Sequence, residues 1–296
     1  SFHRELGGVA YEAALDAGES AVYLASQTGR VLRVDTRTGE VEGVVEHEDQ
    51  VTALALTDDG AIVSVDWGGA LRVTQGERTR VIAQGVRQRS PRSLVVVGDR
   101  ALIGRVREPA LRVRLDGRGE AEAFGPTLGG SASLARGADG ELWLSDTEGR
   151  LVALAADGEI LHAEPVGLDV RAIDVGTDGR LALATSRSVI AVYDPGARRV
   201  VARWPLEGDC RFARWLAPGT VLAGCGPGLY VLREGDTAGS PRDVDGSLLV
   251  AADVGARLVA VTTAASGVFV FHRDRLLAPH REAPPDRLGL SVAAAP

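Results

Sequence analysis

The chain of 296 residues contains no methionine, no lysine and no asparagine. All 33 basic residues are therefore arginine, which with the abundance of Ala, Gly and Val reads as the codon usage of a GC-rich bacterial genome, not as a functional trait. Its first residue is Ser1, so we expect a segment of a longer protein. No apolar run approaches the roughly 20 residues of a membrane-spanning helix. No charged stretch followed by an apolar one marks a secretory leader. The expected location is the cytoplasm, with no membrane partner. Two cysteines are too few for a disulfide framework or a Cys-rich metal site. Cys210 and Cys225 fall on neighbouring strands, where disulfide geometry is seldom met, so two buried thiols are the expectation and a bridge the alternative. The net charge of -7 argues against bulk nucleic-acid binding, which needs a basic surface.

What the chain does contain is short runs of alternating apolar residues. Val51 to Gln84 holds four of them, VTALAL, AIVSVDW, ALRVT and TRVIAQ. Asp58-Asp59-Gly60, Gly68-Gly69 and Gln75-Gly76-Glu77 separate them. Period-two runs bounded by Gly and Asp predict an antiparallel meander. One such sheet cannot bury its own faces, so it needs copies of itself. Copies recur about every 40 residues, at approximately 9–47, 51–85, 91–125, 131–165, 169–205, 210–245 and 246–282. The expected fold is all-β: a single seven-bladed β-propeller of four-stranded antiparallel blades, forming one domain.

Details follow from the same pattern. The last strand of blade seven is read as RLLAPHR. Residues 1–8 and 286–296 are candidate closure strands, and an eighth blade is the alternative. The polar stretch 234–245 predicts an irregular outer edge for blade six. Trp143, Trp204, Trp215, Phe269 and Phe271 are expected to pack between blades. Turn aspartates such as Asp16, Asp59, Asp139, Asp157 and Asp178 should cap their own backbone.

The segment HEDQVTALAL, His47 to Leu56, followed by Asp59-Gly60, resembles the start of a WD repeat. Val189 to Asp194 (VIAVYD) resembles the third strand of that repeat, with Tyr193 in the tryptophan position, and Val31 to Asp35 is similar. The resemblance implies a propeller that binds protein partners. The His recurs in one repeat only, so the His–Ser–Asp–Trp hydrogen-bond network of the family is expected to be mostly absent. AVYLASQTGRVLRVD and ELWLSDTEGRLVALAADGE are equally similar to quinoprotein-type propeller repeats.

No catalytic constellation is present. His3, His47, His162, His272 and His280 lack metal-ligand spacing, and neither a nucleophile elbow nor a phosphate loop occurs. Propellers that hydrolyse lactones use Glu, Asn and Asp around calcium, and this chain has no Asn. No catalytic residue, metal or cofactor is assigned.

Superposing the innermost strands gives one informative column. Its second position holds Thr52, Arg92, Ala132, Arg171 and Arg211, with Ser247 in blade seven. These residues stand where each inner strand enters the channel, on the face of the loops that join blades. The same face receives Trp67, Arg107 and Arg187 from loops between second and third strands, and Arg87 and Arg89 from the link into blade three. From Arg78 to Arg118 there are eleven arginines against Asp99, Glu108 and Asp116. Arginine forks suit carboxylates. The expected function is non-enzymatic: a recognition or scaffolding module of a larger bacterial protein, binding an acidic peptide or a partner domain on this face. Arg92, Arg171 and Arg211 would clamp the anion, Arg107, Arg187, Arg87 and Arg89 would form the rim, and Trp67 would be the apolar anchor. The alternative is a small-molecule sensor or hydrolase with its ligand in the central channel.

Overall fold

The computed structural model describes residues 1–86, 93–129, 133–137, 140–237, 239 and 241–278. Within them lie seven four-stranded antiparallel sheets, six of them in simple sequential order and the seventh completed by the first strand of the chain. The fold is an all-β seven-bladed propeller. The inner strands are Ala10–Leu15, Val51–Leu56, Leu94–Val97, Ser133–Arg136, Val170–Val175, Cys210–Ala217 and Leu249–Val254. The sole helix among the described residues, Arg273–Leu277, is a single turn, and none is long and apolar enough to cross a membrane.

Each blade lies between two others, so both of its faces need cover. The second strands show this: Ile62–Asp66 and Leu181–Thr185 are buried along their whole length. Outer strands face water, and Ile160–Pro165 is exposed at nearly every position. The core is accordingly a ring of inter-blade clusters. Trp204 of blade five packs with Cys210, Val221 and Tyr230 of blade six, and Phe212 of blade six with Leu249 and Phe269 of blade seven. Trp143 and Phe271 are buried as well, whereas Trp215 is half-buried beneath Arg180, whose guanidinium carbon stands 5.4 Å from the ring centroid. Turn aspartates cap their own backbone: Asp16 Oδ1 accepts from the Ser20 and Ala21 amides at 2.7 and 3.0 Å. Asp139 lies outside the described residues. The outer strand of blade six is only Pro241–Asp243.

Ring closure departs from the sequence expectation in one respect. The fourth strand of blade seven is Phe2–Glu5, which pairs with Gly267–His272 in the register Phe2↔Val270 to Glu5↔Gly267. Residues 275–281, expected there as a strand, begin in the helical turn, and Leu276 is buried in the core against Phe271. Joining the two ends of the chain in one sheet ties the first strand into the last blade. Residues 279–296, including the other closure candidate, lie outside the described residues.

A second correction concerns the cysteines. Cys210 and Cys225 form a disulfide. They face each other directly across a hairpin, at a point where the register slips between Cys210 and Phe212. Their Cα atoms are 3.9 Å apart, closer than the ~4.5 Å of a regular non-hydrogen-bonded pair. Both are fully buried beside Trp204. The expectation of two thiols rested on how seldom directly paired strands hold a disulfide.

Candidate functional site: the inter-blade-loop face

One backbone hydrogen bond recurs around the ring. The first residue of the turn between second and third strands donates to the residue before the inner strand. It appears as Gln27→Val9, Trp67→Gln50, Gly104→Ser93, Ser186→Asp169, Gly226→Asp209 and Ala264→Leu248, at 2.7–3.1 Å. These turns and the inter-blade links therefore share a face.

A second feature repeats there. In blades one, two, five, six and seven the inner strand carries a register slip at its second position. The residues skipped are Tyr11, Thr52, Arg171, Arg211 and Val250. A bulge takes its residue out of the ladder and re-aims the side chain. Thr52, Arg171 and Arg211 belong to the column the sequence comparison isolates, Arg92 and Ala132 lie outside the described residues, and blade seven calls for a correction. Blade seven contributes Val250, because Ser247 belongs to the preceding turn, where its hydroxyl donates to Asp245 Oδ1 at 2.6 Å.

The expected site residues divide into three groups. Arg171 and Arg211 meet at one carboxylate. Arg171 Nη1 donates to Asp209 Oδ2 at 2.6 Å, and Arg211 Nη2 lies 3.0 Å from the same oxygen. The three side chains are 35%, 48% and 36% exposed. Trp67, Arg107 and Arg187 sit exposed on turns of blades two, three and five. Trp67 is 53% exposed, whereas Thr52 of its blade is buried and donates to Val65 O at 3.2 Å. Arg87, Arg89 and Arg92 lie outside the described residues.

Among the described residues, several arginines of the arginine-rich stretch are paired with acids. Arg112 pairs with Glu122 at 2.8 Å, and Arg114 with Asp116 at 2.9 Å and Asp99 at 3.5 Å. Arg105 pairs with Glu108. Hydrogen bonding by Arg114 holds the Asp116 carboxyl down at about 2. Glu122 falls just beyond the segment whose charges were counted, and pairing across a sheet follows register, not sequence proximity.

Sequence reasoning missed two arrangements. The first is the extent of a polar network in blade two, the one repeat that carries the His; it is consistent with the expectation that the family network is mostly absent elsewhere. The fully buried His47 side chain faces Asp66 Oδ2 from Nδ1 at 3.0 Å and Ser64 Oγ from Nε2 at 2.8 Å. Arg72 Nη1 donates to Asp66 Oδ2 at 3.2 Å and lies against Nδ1 of the ring. Asp66 Oδ1 accepts from the Ala70 amide at 2.8 Å. Burial, reinforced by the Arg72 charge, pushes His47 below the usual imidazole range, although the Asp66 hydrogen bond acts the other way. A neutral ring therefore ties the inter-blade link to the turn that presents Trp67. Asp146 does the equivalent in blade four, accepting from the Gly129, Glu148 and Arg150 amides and from Arg150 Nε at 2.9–3.0 Å. The shared signal is Asp-x-x-Gly after the second strand, with Gly69 and Gly149 at φ 88° and 87°, where a side chain would be strained.

The second arrangement is in the channel. A cavity of about 240 Å³ is lined by Glu12, Arg136, Asp174, Arg214 and Asp253 among apolar and small side chains. Arg214 Nε donates to Ala252 O at 3.0 Å and Nη1 to Ile173 O at 3.4 Å, and Nη2 stands 3.7 Å from Glu12. One side chain of blade six thus touches blades five, seven and one. Asp174 accepts from the Trp215 amide and Asp253 from the Leu15 amide, both at 2.7 Å. Burial raises the Asp174 carboxyl above the usual range, with the Arg214 charge opposing it. Among the described residues, no group of three or more His, Cys, Asp or Glu could hold a metal.

No protein-family model matches the sequence, and no curated protein matches it. Among solved structures, the WD40 β-propeller domain of Doa1 is similar at a TM-score of 0.73 and 10% identity, over 90% of this chain and 94% of that one. At that identity the likeness speaks for the fold, and together with the seven sheets it makes this chain a WD-repeat-like seven-bladed propeller.

Proposed function

We propose that the chain is a non-enzymatic recognition module that binds an acidic segment of a protein partner, or of the same longer polypeptide, on the inter-blade-loop face. The supporting observation is the convergence of Arg171 and Arg211, from adjacent blades, on a single half-buried carboxylate. Two guanidiniums that hold one carboxylate mark a place where a carboxylate is well received. Arg107 and Arg187 are rim contacts, and Arg87, Arg89 and Arg92 belong to the same proposed surface. Trp67 is the apolar anchor; it stands in blade two, well round the ring from blades five and six, so the partner must span the mouth. The network beneath it lowers the cost of ordering the anchor on binding. The test is titration of fluorescein-labelled hexaglutamate at rising salt. Binding should weaken steeply with salt, be lost in Arg171→Glu/Arg211→Glu, and fall several-fold in longer acidic peptides with Trp67→Ala. Salt-independent binding that ignores the arginine substitutions overturns the reading.

A second reading places a small ligand in the channel, as in a sensor or a hydrolase. Its support is the 240 Å³ cavity and its charged lining. Native mass spectrometry of the purified protein tests it, since retention of a small molecule that Arg214→Met releases would favour this reading.

A further inference from the structure

The chain repeats the triplet Asp-x-Arg one blade apart, as Asp169-Val170-Arg171 and Asp209-Cys210-Arg211. The two acids are equivalent by backbone: each accepts, through its carbonyl, the amide of the turn facing it, Ser186 in one case and Gly226 in the other. Their side chains differ in partner. Asp169 Oδ2 accepts from the Ser186 hydroxyl of its own blade. Gly226 has no side chain to offer, and Asp209 Oδ2 instead accepts from Arg171 and faces Arg211. Asp209 therefore stands where the acidic partner is proposed to place its own carboxylate. The ion pairs are between a third and a half exposed, so water screens them and exchange costs little.

We propose that Asp209 is an internal stand-in ligand, whose carboxylate occupies the Arg171–Arg211 clamp until a partner's carboxylate displaces it. This rests on the reading of the clamp given above and adds its regulation and selectivity. A single carboxylate gains little beyond what Asp209 already supplies. A run of acidic residues brings further carboxylates to Arg187 and the rim, so the site selects contiguous acidic segments. The competing account makes Asp209 a positioning residue that holds the two guanidiniums ready.

The two accounts predict opposite signs. Hexaglutamate labelled with fluorescein is titrated by anisotropy against the wild type, Asp209→Asn and Asp169→Asn, after thermal unfolding confirms that each is folded; Asp209→Ser replaces Asp209→Asn if that variant does not fold. Removing the stand-in should tighten binding roughly three- to five-fold, the range open to an exposed ion pair. Asp169→Asn, engaged by Ser186, should change it less than about two-fold. Unchanged or weaker binding by the Asp209 variant overturns the stand-in while leaving the clamp intact. Absence of binding in both wild type and variant, or binding that survives Arg171→Glu/Arg211→Glu, overturns the clamp itself.

Discussion

His47 illustrates how much a single buried side chain decides. Its ring is packed away from water against Ser64, Asp66 and Arg72. Its pKa is depressed in the folded state, so the unfolded chain binds a proton that the folded chain refuses. Stability from this group is complete above the unfolded value of about 6.5 and is lost as pH falls below it, by at most ~1.4 kcal/mol per pH unit. Urea unfolding of the wild type and His47→Gln between pH 7.5 and 5 checks this, and the difference between them should shrink with acidity. Measuring the difference isolates His47 from Asp174, whose raised carboxyl works in the opposite sense: its burial penalty is relieved as pH falls. The same network holds Trp67 on a fixed turn, yet Trp67 itself is exposed. Trp67→Ala should therefore leave the unfolding free energy within ~0.5 kcal/mol of wild type while weakening an acidic partner.

At the scale of the strand, the repeated bulge places the side chains proposed for recognition. A regular inner strand would send alternate residues into the neighbouring blades. The slip at the second position takes Arg171 and Arg211 out of the ladder, leaving both side chains partly exposed beside Asp209. In blade six the hairpin register sets Cys210 directly opposite Cys225. The disulfide closes a loop with a sequence separation of 15, a constraint on the unfolded chain worth about 3 kcal/mol. Cys225→Ser should lower the denaturant midpoint accordingly. A strong reductant during unfolding should lower the wild type to match, whereas an unchanged midpoint in both would show that the bridge contributes nothing.

For the whole molecule, stability depends on closing the ring. Phe2–Glu5 completes blade seven, and Arg214 links blades five, six, seven and one within the channel. Deleting residues 1–6 removes the outer strand and uncovers the edge of Gly267–His272. Such an edge templates pairing with other chains, so the truncated protein should self-associate and unfold at lower temperature. Size-exclusion chromatography with light scattering, alongside a thermal melt, tests this; a monomer with wild-type stability would show that Phe2–Glu5 is dispensable.

Spacing was the part readable from sequence. Period-two apolar runs, turn residues and a repeat near 40 residues specify four-stranded units, and units too thin to bury both faces must stack around a ring. The column containing Arg171 and Arg211 was visible for the same reason, since equivalent places in a repeat occupy equivalent places in the ring. Pairing across strands and blades was not visible. Arg171 meets Asp209, Arg112 meets Glu122, and Arg214 reaches three other blades, all through sheet register and the closure of the ring. Tertiary context settled the rest: His47 is neutral because the fold desolvates it, and Cys210 is bridged because the hairpin register sets it directly opposite Cys225. Local periodicity is written along the chain, whereas contacts between distant segments exist only once the ring has closed.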